Sequence, residues 1–157
     1  MKPTAADMIA RLTRSLAHDF TLMPLDAPAS PLFLAIALPM GDGVTGLKPR
    51  LPAGRGMTPQ QAMIAAGAEA LELRASLAQH HVAELAALPC RDGLATVSAT
   101  DLLSQDAVMV QAQDVYLDCA SVLDEPVTHD ANSTGCAVGP DRETALATAV
   151  WECVERD

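Results

Sequence analysis

The sequence predicts an α/β fold of the α+β type, a mixed sheet with long helices packed on it, and three observations lead there. Segments with helical apolar spacing alternate with short extended runs bounded by Pro and Gly along the 157 residues. Hydrophobic residues make up 50% of the chain but aromatic residues only 3%, so a core must be built from Ala, Leu, Val, Ile and Met. One glycine-loop-and-helix device also occurs twice. The length suits a single domain spanning 1–157, with an N-terminal helix and linker over 1–30 and a repeat-containing core over 31–157.

Taken in order, Met8, Ile9, Leu12, Leu16 and Phe20 form an apolar stripe that predicts a helix from Thr4 to about Phe20. Pro24, Pro28 and Pro31 enforce an extended linker, and Leu32 to Leu38 reads as a short buried strand ending at Pro39. From Met40 to Gly56 the chain carries Gly41, Gly43, Gly46, Pro49, Pro52, Gly54 and Gly56, a composition expected to exclude regular structure. Thr58 as N-cap, Pro59 at the first helical position and Gln61 as capping partner then open a helix expected to reach about Leu85. Beyond Pro89 and Gly93, strands are expected over Leu94 to Val97 and Ala107 to Gln111, with Asp114 to Leu117 as a third. Pro140 and Asp141 start a last helix carrying Leu146, Val150, Trp151 and Val154.

Charge and composition exclude several classes of function. Twenty Asp and Glu against ten Lys and Arg give a formal net charge of -10, which repels a nucleic-acid duplex or an anionic membrane surface. Few aromatic side chains are available to stack single-stranded bases. Met1 to Asp7 lacks an apolar signal core, and Leu32 to Leu38 is too short to cross a bilayer, so the expectation is a cytoplasmic protein. Cys90, Cys119, Cys136 and Cys153 show no zinc-ligand spacing and read as small buried apolar residues, as the scattered methionines read as core filler.

The repeat carries the chemistry. At one constant offset, Gly56, Ala62, Glu69 and Glu72 align with Gly139, Ala145, Glu152 and Glu155 without a gap. In each copy a glycine loop opens a helix about three turns before two glutamates spaced i, i+3, which puts both carboxylates on one helical face. Two such helices side by side would gather four carboxylates, and at about 6 Å with an effective dielectric near 20 each charge pair repels by about 3 kcal/mol. Hard divalent cations offset such repulsion, and Mg²⁺ in particular is held by a few carboxylates, waters and nucleotide phosphates. Glycine loops at helix N-termini offer backbone N–H groups to phosphate, although neither loop matches a P-loop or a dinucleotide fingerprint. A solvated helix face accounts for each glutamate pair taken alone.

These residues resemble the YcaO family. Asn132 to Ala145, reading N-S-T-G-C-A-V-G-P-D-R-E-T-A, followed by Trp151-Glu152-Cys153-Val154-Glu155-Arg156-Asp157, is similar to the family's S-x-G-x-A-x-G, E-A and E-x-x-E-R-D signature. Gly54 to Ala62 with Gly67-Ala68-Glu69-Ala70-Leu71-Glu72 is similar to its first copy, and together the matches run from about Leu32 onward. The resemblance implies an ATP-dependent enzyme that phosphorylates a peptide amide oxygen, so that a Cys, Ser or Thr side chain or an external sulfur attacks the activated carbon to form an azoline or a thioamide. It implies Glu69, Glu72, Glu152 and Glu155 as Mg²⁺ ligands, Arg156 as a phosphate contact and Glu143 on the nucleotide side. Ala65 and Leu73 stand where the family has Ser and Arg, so a phosphate contact is expected to be missing there. The family domain continues well past its second E-x-x-E-R, so the chain corresponds to about the first half of one. Its expected partners are a peptide or protein substrate, and a second chain or a second copy completing the sheet. Glu152 and Glu155 would then lie in the last turns of a helix uncapped at Asp157. A second reading of the same residues is a non-catalytic scaffold that docks a partner protein through a sheet edge.

Two smaller groupings carry weaker signals. His81 and Glu84 have metal-compatible spacing but suit a solvated helix end, and His129, Asp130 and Ser133 lack the G-x-S-x-G elbow of a hydrolase.

Overall fold

Helix α1, Ala5–Leu16, opens on a reciprocal cap in which the Thr4 Oγ1 accepts from the Asp7 N–H and the Asp7 carboxylate accepts from the Thr4 N–H. The structure, a computed structural model, describes residues 4–26, 31–40, 51–129 and 131–156. Pro28, Gly41, Gly43, Gly46, Pro49, Asp130 and Asp157, which figure in the sequence reading, lie outside the described residues. Two compact units emerge, one formed by residues 1–73 with 135–157, the other by residues 74–134.

In the first unit α1 ends earlier than its apolar stripe suggests. Phe20 starts strand β1, Phe20–Leu25, which pairs antiparallel with β2, Phe33–Pro39, from Phe20 opposite Pro39 to Leu25 opposite Leu34. Leu16 and Phe20 are both buried, and spacing alone cannot separate a helical from an extended residue that points into the same core. Pro24, expected in a linker, lies inside β1, and β1 is an edge strand, where a missing N–H is tolerated.

Strand β3, Ala53–Gly56, is the larger correction, because it falls in the stretch whose composition argued against regular structure. It pairs antiparallel with β2, Gly54 opposite Ala35. The reason is steric. A Cβ at Gly54 would lie 2.2 Å from the Ala62 carbonyl oxygen and 2.3 Å from the Ala66 nitrogen, so only glycine lets the strand lie flush on helix α2, Pro59–Ser76. Ala35, Ala62 and Ala66 form that core, with Leu22 and Met63 packed against it. The predicted cap of α2 is present, Thr58 Oγ1 accepting from the Gln61 N–H at 3.2 Å.

The helix expected to reach Leu85 stops at Ser76. Leu77 turns extended and forms an isolated parallel bridge with Leu117, through Leu117 N–H to Ser76 oxygen at 2.7 Å and Ala78 N–H to Leu117 oxygen at 3.0 Å. Both leucines are buried, and no Gly or Pro next to Ser76 announces the break. A 3₁₀ turn, Ala78–His80, and a short helix α3, Val82–Leu85, follow.

The second unit holds a sheet of β4, Cys90–Arg91, β5, Leu94–Thr100, and β6, Ala107–Gln111, all antiparallel. Asp92 and Gly93, both with positive φ, make the two-residue hairpin turn between β4 and β5. The third strand expected over Asp114 to Leu117 is instead a short helix α4, Ala112–Val115, because Asp114 accepts from the Gln111 N–H and caps it. Helix α5, Cys119–Leu123, completes a core of Ala78, Leu85, Ala95, Ala112 and Cys119. In the first unit, the last helix, α6, Arg142–Arg156, starts where expected, with Asp141 Oδ1 accepting from the Thr144 N–H at 2.8 Å. The α+β class holds, with the strands divided between two three-stranded antiparallel sheets. Among the described residues no helix is long and apolar enough to cross a membrane.

The Gly54 contact yields a stability prediction. Gly54→Ala forces β3 off α2 and destabilises the chain by about 2 kcal/mol or more, the scale of overpacking a close-packed interior. Thermal denaturation followed by circular dichroism measures this, and an unchanged midpoint would contradict the packing described.

Candidate functional site

The repeat seen in the sequence is a repeat in space. Thr58 and Asp141 occupy equivalent positions and both cap their helices. In each copy the fourth residue after the cap donates its N–H to the cap carbonyl at 3.1 Å, Ala62 to Thr58 and Ala145 to Asp141. The loop glycines press on the same places, since a Cβ at Gly56 would lie 2.8 Å from the Ala62 nitrogen and one at Gly139 2.7 Å from the Ala145 nitrogen.

About three turns along, the first glutamate of each copy plays one role. Glu69 Oε2 accepts from the Ala53 N–H, and Glu152 Oε2 accepts from the Gly135 N–H, both at 3.1 Å. Gly135 has φ +85, a backbone state glycine adopts freely, and this aims its N–H at α6. The second glutamates differ. Glu72 Oε1 accepts from Val138 N–H at 2.8 Å, which ties the helix of the first copy to the loop of the second, whereas Glu155 is exposed on α6.

Electrostatics groups three of the four predicted carboxylates. Glu72 is half-buried, and burial together with the negative charges of Glu152 and Glu69 holds its carboxyl above the usual carboxylate range, against the opposing pull of the Val138 N–H. Arg156 Nη2 lies 2.8 Å from Glu152 Oε1, an i, i+4 pair in the last turn of α6. Glu143 is exposed in the first turn of the same helix. Leu73, in the position of the family's Arg, is buried, and Ala65 is half-buried.

The donors suit a hard cation: all are carboxylate oxygens, and Glu69, Glu72 and Glu152 share one electrostatic field with Arg156 as counter-charge to Glu152. They do not converge as they stand, because among the described residues no three His, Cys, Asp or Glu side chains are grouped to hold a metal ion. Each of the three turns an oxygen toward a backbone N–H. The N–H donors Ala53, Gly135 and Val138 are the functional groups that side-chain motifs do not reveal, and the glycines around them are their only trace in the sequence.

The smaller groupings resolve as structure. His81 Nδ1 lies 3.0 Å from Glu84 and its Nε2 3.0 Å from the Ala75 oxygen, with the Tyr116 ring beside it, so it links the end of α2 to α3. His129 Nε2 lies 3.2 Å from Asp114 Oδ1 and its Nδ1 3.0 Å from Thr128 Oγ1, so the ring is held by structural neighbours. The nearby Gln113 carboxamide bonds Glu125, the Pro126 oxygen and Thr128, which pins residues 125–129 to α4.

Comparison with known proteins matches the chain to a family model and to solved structures. A family model described as YcaO cyclodehydratase, ATP- and Mg²⁺-binding, matches residues 77–157. The fold is similar to the solved structure of YcaO from Methanopyrus kandleri bound with AMPPCP and Mg²⁺, with a TM-score of 0.68 at 17% sequence identity, over 98% of this chain and 43% of that one. The chain thus spans less than half the length of this neighbour. No curated protein matches.

The raised Glu72 carboxyl sets a pH dependence. The folded chain binds the Glu72 proton more tightly than the unfolded chain, so this contribution to stability is full below the ordinary carboxylate range and is lost as pH rises through the raised value. Glu72→Gln keeps an oxygen for the Val138 N–H and removes the charge. It raises the thermal midpoint at pH 7 and flattens the change in midpoint between pH 4 and pH 7; a lowered midpoint at pH 7 would show that the carboxylate charge stabilises the fold.

Proposed function

The chain belongs to the YcaO family, and on that premise we propose that it forms the ATP- and Mg²⁺-binding part of an enzyme that activates peptide amide bonds by phosphorylation. The observation that supports this most is the field shared by Glu69 and Glu72 on one repeat helix and Glu152 on the other. Glu72 bears the cost of that gathering, because burial and the two negative neighbours oppose its ionisation, and a cation would relieve it.

In this reading Glu69, Glu72 and Glu152 hold Mg²⁺, with Glu155 on the same helix as Glu152 as a further oxygen donor. Bound Mg²⁺ supplies charge neutralisation on the transferred phosphoryl group, where most of phosphoryl-transfer catalysis lies. Arg156, at the end of α6, carries the positive charge that can pass from Glu152 to phosphate. Glu143 lies on the nucleotide side. The γ-phosphoryl group passes to a peptide amide oxygen with departure of ADP, a Cys, Ser or Thr side chain or external sulfur adds to the carbon, and phosphate leaves. Azoline or thioamide is the product class, and a peptide or protein the substrate.

Specific features also favour a second reading, a scaffold that requires another polypeptide. Leu73 and Ala65 supply no polar side chain to phosphate, and α6 exposes Leu146, Val150, Trp151 and Val154 with no buried residue of its own. A partner protein, or a second copy, suits that apolar face.

Calorimetric titration of the folded chain with ATP, with and without Mg²⁺, separates the two. The enzyme reading predicts binding that requires Mg²⁺ and is weakened by on the order of 1 to 3 kcal/mol in Glu152→Gln, the scale of a lost charged hydrogen-bonding partner. A folded chain that ignores ATP under both conditions supports the scaffold.

A further inference from the structure

The hydrogen bond from the Gly135 N–H to Glu152 has a neighbour on each side. The residues that follow its two ends are Cys136 and Cys153. A Cβ at Gly135 would fall 3.0 Å from Cys153 Sγ, so the Cys153 thiol lies against the loop backbone one residue before Cys136. The two thiols also lie within each other's electrostatic reach: Cys153 is among the groups that act on Cys136, with Glu152 and Glu72, and burial is the largest influence on it. Cys136 is half-buried and Cys153 exposed, a pairing of one thiol that meets an external oxidant with one that is sheltered beside it. Cys90 and Cys119 belong to the other unit, on β4 and α5.

We propose that Cys136 and Cys153 form a reversible disulfide that locks the 135–138 loop onto α6. Because this loop supplies the N–H groups that hold Glu152 and Glu72, the bond sets the position of both carboxylates. The oxidant is a small-molecule disulfide such as oxidised glutathione. The Cys153 thiolate attacks one of its sulfurs and a glutathione thiolate leaves. The Cys136 thiol then loses its proton to water and attacks Cys153 Sγ, expelling the second glutathione. Two protein thiols are oxidised to one disulfide, and one glutathione disulfide is reduced to two thiols. That this controls ligand binding rests on the proposed nucleotide site, whereas the disulfide itself does not.

The test incubates the full chain with oxidised glutathione, blocks remaining thiols and maps the peptides by mass spectrometry. The expected result is a linked pair of peptides containing Cys136 and Cys153, lost in Cys136→Ser and in Cys153→Ser, retained in Cys90→Ser and reversed by dithiothreitol. Both cysteines free, or Cys153 carrying only glutathione, would overturn the proposal. In the second arm, Mg²⁺-dependent ATP affinity differs about fivefold or more between the oxidised and reduced chain, the usual scale of coupling between two sites, and does not change on oxidation in Cys136→Ser. A disulfide that forms without changing a measurable affinity overturns the control and leaves the nucleotide reading standing. No ATP binding in either state overturns that reading and the control with it, and leaves the disulfide.

Discussion

A strand can lie flush on a helix only where neither presents a side chain at the crossing, and much of the first unit depends on that condition. Gly54 meets the Ala62 and Ala66 backbone at distances no Cβ could share, and the fully buried Ala62, Ala66 and Ala70 give α2 a smooth face. The flush contact also sets the height of β3 along α2, and so brings the Ala53 N–H to Glu69. The second copy repeats the companion contact of Gly56 on Ala62 with Gly139 on Ala145, and its loop delivers the Gly135 N–H to Glu152. The close approach of backbone to helix is therefore what aims both first glutamates.

Gathering acidic groups in this way costs free energy that backbone donors only partly offset. A backbone N–H satisfies one carboxylate oxygen without removing the charge, and Glu72 shows the remainder, its proton held more tightly because burial and two negative neighbours oppose ionisation. A cation would relieve that opposition, and a metal bound to the carboxylates competes with the N–H groups they now face. The start of β3 at Ala53 and the loop carrying Gly135 and Val138 are consequently the part of the fold that metal loading would disturb. Arg156 occupies Glu152 in the same provisional way, from one turn further along α6.

The repeat, its caps and its four glutamates were legible in the residues because each is a side-chain property at a fixed spacing. Thr58, Asp141, Glu69 and Glu152 stand where their spacing placed them. What was hidden lies in the backbone and in tertiary choice. β3 was masked by its glycines, which local propensity reads as loop and the packed helix reads as clearance. The end of α2 at Ser76 was decided by Leu117, about forty residues further on, whose bridge to Leu77 outweighs a helix-compatible sequence. The link from Glu72 to Val138 had no trace in the repeat, because there the two copies stop being equivalent.

Replacing Mg²⁺ with Mn²⁺ in the presence of AMPPCP, and recording paramagnetic broadening of the assigned amide resonances, probes the carboxylate site itself. Broadening is expected to centre on Ala53, Glu69, Glu72, Gly135 and Glu152. Broadening centred elsewhere, or none while the nucleotide is bound, would rule out these carboxylates as the metal site.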